Sequence, residues 1–224
     1  DDVDASANGL TVKKDVTLDL NGHSLKVANS NATNIKIYGA TFTLMDSTDT
    51  NKDGTGQGKI YTEVPYAKGT YETVAISVNS GAHFIMESGL IDTASAFTDN
   101  SNQGQFAVGL NDGNATVDAN ITINGGHIKA GWYAVAGNGG CVSANHNITV
   151  NGGILESVAD YAIYHPQSGT TTINDGIVYG YAGGIAINRG NLVVNGGTIT
   201  SKGVGSTGTW GDGTGKLANA AVNI

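Results

Sequence analysis

Ile121-Thr-Ile-Asn-Gly-Gly-His-Ile128 returns as Ile148-Thr-Val-Asn-Gly-Gly-Ile-Leu155, as Thr171-Thr-Ile-Asn-Asp-Gly-Ile-Val178 and as Leu192-Val-Val-Asn-Gly-Gly-Thr-Ile199. Two earlier copies are weaker, Leu18-Asp-Leu-Asn-Gly-His-Ser-Leu25 and Phe84-Ile-Met-Glu-Ser-Gly-Leu-Ile91. The shared pattern is apolar, any, apolar, Asn, Gly, Gly, any, apolar. Period-two alternation on both sides of an Asn-Gly-Gly turn means two short strands meeting at a sharp corner. A fixed repeat of this kind signals a stacked architecture, because one unit cannot bury its apolar edge alone.

A second pattern precedes each copy. It reads Ala75-Ile-Ser-Val-Asn79, Ala107-Val-Gly-Leu-Asn111, Ala134-Val-Ala-Gly-Asn138, Ala162-Ile-Tyr-His-Pro166 and Gly184-Ile-Ala-Ile-Asn188. It supplies a third strand per unit. Asn124, Asn151, Asn174 and Asn195 are 27, 23 and 21 residues apart. That is too short for a strand–helix–strand crossover, which takes about 30 residues. The spacing predicts an all-β fold, a right-handed parallel β-helix of about seven three-strand coils, roughly 34 Å long at ~4.8 Å per coil. Ile123, Val150, Ile173 and Val194 should stack inside, and Thr149 should face out. The recurring Asn residues should form ladders at the corners, with Asn79, Asn111, Asn138 and Asn188 as a second column.

Composition agrees. Gly is abundant at 34 residues and Pro rare at 2, while 39% of the chain is hydrophobic, so it turns tightly yet builds a core. The formal charge of −8, with Arg only at Arg189, argues against nucleic acid and anionic membrane surfaces as partners. No apolar run approaches the ~18 residues of a membrane span. The lone Cys141 has no His/Asp constellation around it and reads as a buried structural thiol. Asn-x-Thr triplets at Asn31, Asn114, Asn120 and Asn147 follow from turn-plus-strand chemistry and carry little weight as glycosylation sites.

The Asn-Gly-Gly repeat resembles the pectate-lyase-like right-handed β-helix superfamily. It is most similar to the β-helix domains of large cell-surface proteins of anaerobic Gram-positive bacteria. The resemblance implies a single β-helix domain over residues 1–224, excised from a longer, multi-domain extracellular or cell-surface protein of bacterial origin. Ala221 to Ile224 opens a further copy, so the polypeptide is expected to continue past Ile224. The superfamily's hydrolases carry Asn-x-Asp, Asp-Asp, Gly-His-Gly and Arg-x-Lys signatures. Here Gly-His-Gly and Arg-x-Lys are absent, and Asn51-Lys52-Asp53 fits the first only formally.

Candidate chemistry concentrates in insertions and aromatics. Asp49, Asn51, Asp53 and Gly54 match the opening of a Ca²⁺ loop, Asp-x-Asn-x-Asp-Gly, but Ile60 stands where the closing Glu belongs. The competing reading is a solvated polar turn. His165, with Tyr161 and Tyr164 and with Arg189 about one coil later, could form a small polar-aromatic patch, and Tyr133, Tyr161, Tyr179 and Tyr181, with Trp132, sit near strand starts and the third corner, where exposed aromatics can stack on sugar rings. His165 shares its column with Val78, Leu110 and Ile187, which points it inward. The Thr column at Thr43, Thr122, Thr149 and Thr172 reads as good exposed strand residues.

The expectation is a non-catalytic adhesin-type surface domain whose partner is a polysaccharide or host glycan, with no catalytic residues and with Ca²⁺ as the one candidate cofactor. The alternative is a polysaccharide lyase or glycoside hydrolase acting on acidic polysaccharide.

Overall fold

The computed structural model describes residues 1–28, 34–63, 73–94, 105–202 and 221–223. The chain winds into a right-handed parallel β-helix of about seven three-strand coils, and the described residues contain no helix.

The first sheet stacks eight strands: Val3–Asp4, Ser24–Lys26, Lys59–Tyr61, Leu90–Asp92, His127–Ala130, Ile154–Ser157, Ile177–Gly180 and Thr198–Ser201. The second runs through Leu10–Val12, Ile35–Ile37, Thr73–Val78, Gln105–Leu110, Val135–Ala136, Tyr161–His165, Gly183–Ile187 and Val222–Asn223. The third holds seven: Val16–Asp19, Thr41–Met45, His83–Met86, Asn120–Ile123, Asn147–Val150, Thr170–Ile173 and Asn191–Val194. Each coil visits the second, third and first sheets in turn.

The register is the one the repeat dictates. Ile123 pairs with Val150, Val150 with Ile173 and Ile173 with Val194. Ile123, Val150 and Ile173 are fully buried. Val194 departs from the expectation: it is 50% exposed, because its strand is the edge of its sheet and no described coil covers it. Thr149 is half-buried on the outer face, as alternation requires.

One continuous core fills the bore, with Ile76, Val108, Val135, Ile163 and Ile185 along one wall and Ile60, Ile91, Ile128, Leu155 and Val178 along another. The alanines opening the second-sheet strands, Ala75, Ala107, Ala134 and Ala162, also pack inward.

The corner between the third and first sheets carries the ladder. Asn151 Nδ2 donates to Asn124 Oδ1 (2.8 Å), Asn174 to Asn151 (2.7 Å) and Asn195 to Asn174 (2.7 Å), and Asn124 Nδ2 ends the chain on Glu87 Oε1 (2.7 Å). The second Asn column works differently. Asn79 donates to the Ile37 carbonyl and Asn138 to that of Asn111, so it satisfies backbone rather than other amides. Gly is required after the ladder residue. Gly153 has φ +80°, and a Cβ there would sit 2.7 Å from the Gly126 carbonyl oxygen of the coil beneath.

Cys141 is fully buried with Ala115 and Ala144. Its Sγ lies 3.6 Å from the Ala144 carbonyl, and burial pushes the thiol up.

Candidate functional site

The insertion at residues 46–58 folds against the coils above it. Asp46 is buried, and its carboxylate accepts from the Gly22, Thr48 and Gly58 N–H groups and the Thr48 hydroxyl. Those donors hold it below the usual carboxylate range against the opposing effect of burial. Asp49 is also buried. Its Oδ1 accepts from the Asp53 N–H, and its Oδ2 accepts from Gly54 (2.9 Å) and Gly89 (2.7 Å). Asp53 caps the Thr55 N–H and hydroxyl, and Asn51 is exposed.

The Ca²⁺ reading therefore fits poorly. N–H dipoles aim at both Asp49 oxygens, where a cation would have to sit, and Asp53 is turned into its own bend. The described residues hold no cluster of three or more His, Cys, Asp or Glu able to grip a metal. The loop is a clamp: the Lys52 carbonyl accepts from the Gly126 N–H, and the Lys52 ammonium lies 3.6 Å from Glu87.

Of the site residues named from the sequence, Tyr133, Tyr161 and Tyr164 belong to one cluster on the outer face of the second sheet, whereas His165 points into the bore. Tyr161 and His165 are fully buried and Tyr133 nearly so, Tyr164 is half-buried, and Arg189 is exposed. His165 points into the bore in register with Ile187, its Nδ1 2.6 Å from Thr171 Oγ1. Its Nε2 has no partner among the described residues, and burial drives its pKa down to about 4.

The aromatics instead cover the outer face of the second sheet. Val74, Phe106, Tyr133, Ala136, Tyr161, Ala182 and Ala186 form a second apolar cluster, with Trp132 and Tyr164 packed partly against it. Tyr133 is its centre. Its ring stacks on Tyr164 with centroids 5.0 Å apart and planes 17° apart, tilts on Phe106 at 5.1 Å, and meets Trp132 edge-on at 6.0 Å. Asn188 Nδ2 donates to the Tyr164 hydroxyl (3.1 Å). The half-buried Tyr164 and Trp132 thus form an aromatic platform backed by a rigid layer.

Asp160 sits beneath this platform, and the motif reading missed it. It is 3% exposed. The Tyr133 hydroxyl donates to its Oδ2 at 3.4 Å, and the Tyr161 N–H to its Oδ1 at 2.8 Å. Desolvation is the dominant influence and lifts its pKa to about 7. Burial and the neighbouring carboxylate push the Tyr133 phenol well above its ordinary value. The signal was there in Val158-Ala-Asp-Tyr-Ala-Ile163, where one ionisable carboxyl interrupts an uncharged run that must enter the sheet.

A second polar group lines the outer face of the first sheet. His127 Nε2 lies 3.0 Å from Glu156 Oε2, and burial, with the hydrogen bond between Tyr179 and Glu156 adding to it, raises the Tyr179 phenol to about 12. Lys202 lies over the Tyr179 ring at 3.6 Å. Gly54 of the clamp abuts His127, leaving no room for a Cβ between them. The outer column here alternates in charge, with Asp92, Lys129 and Glu156 in register, which stabilises the sheet across strands. Asn31, one of the Asn-x-Thr positions, lies outside the described residues.

No family model, no curated protein and no solved structure matches this chain.

Proposed function

We propose that this domain is a non-catalytic surface module that contacts a glycan through the platform on the outer face of its second sheet. The reading follows the resemblance to Asn-Gly-Gly repeat β-helices of the pectate-lyase-like superfamily, whose setting is the bacterial cell surface. One observation carries it: Tyr164 is half-buried, stacked on Tyr133 and pinned through its hydroxyl by Asn188, beside the half-buried Trp132. An aromatic ring held in one orientation offers an apolar face to a sugar at low entropic cost. Arg189 follows Asn188 in the chain and is exposed, so its guanidinium is open to solvent.

The test is a panel of immobilised oligosaccharides probed with the wild type, Tyr164→Ala and Arg189→Ala. Binding should fall at least tenfold in Tyr164→Ala, with far-UV circular dichroism unchanged. Binding that survives intact in Tyr164→Ala would refute the platform as the contact surface.

The lyase or hydrolase alternative draws on Asp160, a carboxyl group tuned toward neutrality. Glycoside hydrolysis in both its geometries takes two carboxyl groups, however. No other ionised carboxylate acts on Asp160 among the described residues. Absorbance from unsaturated uronate products, with Ca²⁺ present, is expected to stay flat. Sustained turnover abolished by Lys59→Ala would reverse this assignment.

A further inference from the structure

We propose that Asp160 is a proton-operated switch beneath the aromatic platform: neutral, it lets the Tyr133–Tyr164 stack stand, and ionised, it loosens that stack.

The argument begins with burial. A carboxylate taken out of water must be paired with a cation or held by several strong donors, or it stays protonated. Asp160 has neither. Its side chain meets one phenol at 3.4 Å and the N–H of its own neighbour, Tyr161. The described groups packed around it supply no positive charge. The strand Ile154–Ser157 contributes the Ser157 hydroxyl, which accepts the Asp160 N–H and donates to the Trp132 carbonyl. The next coil contributes the backbone of Gly180, Ala182 and Gly183. The coil below contributes Trp132 and Tyr133, and Asp160's own strand brings Tyr161 and Tyr164. The titratable groups around it among the described residues are therefore phenols, which are neutral near pH 7. Asp112 and Asp118 act on Cys141 and His146, and no carboxylate is among the influences on Asp160 from the described residues.

Ionisation would thus place an unpaired charge under Tyr133. The cheapest relief is for the carboxylate to turn toward water. Asp160 and Tyr161 are bonded through the N–H at 2.8 Å, and Tyr133 reaches the same carboxyl group. Movement of Asp160 therefore disturbs two of the rings that back Tyr164. A platform formed only in the neutral state binds its ligand with an affinity that falls as the proton leaves. That last step rests on the proposed glycan contact, whereas the switch itself is read in the free protein.

The experiment follows aromatic near-UV circular dichroism of the free protein from about pH 5.5 to about pH 9. The wild type should show one transition with its midpoint near the Asp160 pKa of about 7. Asp160→Asn should hold the acid-form spectrum throughout. Tyr133→Phe keeps the ring and removes the donor that favours the carboxylate, so its midpoint should move up. A flat wild-type spectrum overturns the proposal, and so does an unchanged transition in a folded Asp160→Asn. If Asp160→Asn does not fold, an unmoved midpoint in Tyr133→Phe overturns it instead. The oligosaccharide panel is then read across the same range. Binding should weaken by about tenfold per pH unit above the midpoint. A spectral transition without binding at any pH leaves the switch standing and removes the glycan reading.

Discussion

A single methyl group tests the inner lining opposite Ile199. Four of the five aligned second-sheet openings carry Ala (Ala75, Ala107, Ala134, Ala162) and the last carries Gly184, so the repeat suggests that alanine would fit there too. It would not. A Cβ at Gly184 would lie 2.3 Å from the Ile199 side chain, 2.9 Å from the Ala221 carbonyl and 3.0 Å from that of Val178. Two of those three atoms are backbone and cannot step aside. Gly184→Ala is expected to cost about 1–3 kcal/mol in urea denaturation, the usual range for overpacking a close-packed interior. A stabilised variant would show that the last coil is looser than its contacts imply. The column itself was readable from pattern, but the exception was not, because it depends on how far the next strand's Ile reaches across the bore. Asp160 was missed for a related reason: a repeat alignment weighs positions that recur, and Asp160 aligns with Trp132.

At the scale of the element, the ladder and the clamp make opposite lessons. The Asn ladder was legible because the last four copies place Asn at the same step before a Gly-containing turn and stacking does the rest. Removing an interior rung breaks two amide bonds, and Asn151→Ala should cost about 1 kcal/mol, since the rungs are exposed and water competes. Asn195→Ala breaks one and should cost about half as much. Equal costs would mean that the bonds contribute nothing separable. The clamp reads as a Ca²⁺ loop in sequence because alternating Asp and Asn residues before a Gly serve cations and tight turns equally well. What separates the two is the direction of the carboxylates, which spacing does not encode. Asp49 faces the Gly54 and Gly89 N–H groups, and charge-assisted bonds to a buried carboxylate are strong. Asp49→Ala should destabilise by roughly 2 kcal/mol or more, and melting in EDTA and in Ca²⁺ should coincide. A Ca²⁺-dependent rise in melting temperature would restore the cation reading.

For the whole molecule, the coil count, sheet register and shared bore followed from one periodic pattern. The packing of the aromatics proposed as the contact face did not, because they lie on the outer side, where alternation says only that a residue points away. The same coil also carries two buried groups whose proton demands oppose each other. Asp160, outside the bore, has its pKa raised to about 7, so its stabilising effect is complete below the unfolded value near 3.8 and is lost as pH rises through 7. His165, inside, has its pKa lowered to about 4, so its effect is complete above the unfolded value near 6.5 and is lost as pH falls through 4. Between about pH 4 and about pH 6.5 the two slopes are of similar size, about 1.4 kcal/mol per pH unit, and of opposite sign. They cancel in the wild type, leaving whatever slope the remaining groups impose. Asp160→Asn should therefore gain stability relative to the wild type as pH rises across that window. His165→Ile, which copies its partner Ile187, should lose it by a similar amount. The double variant should run parallel to the wild type. Urea denaturation of all four proteins at three pH values within the window measures this directly. Single variants that track the wild type would show that the two groups titrate as freely in the folded chain as in the unfolded one.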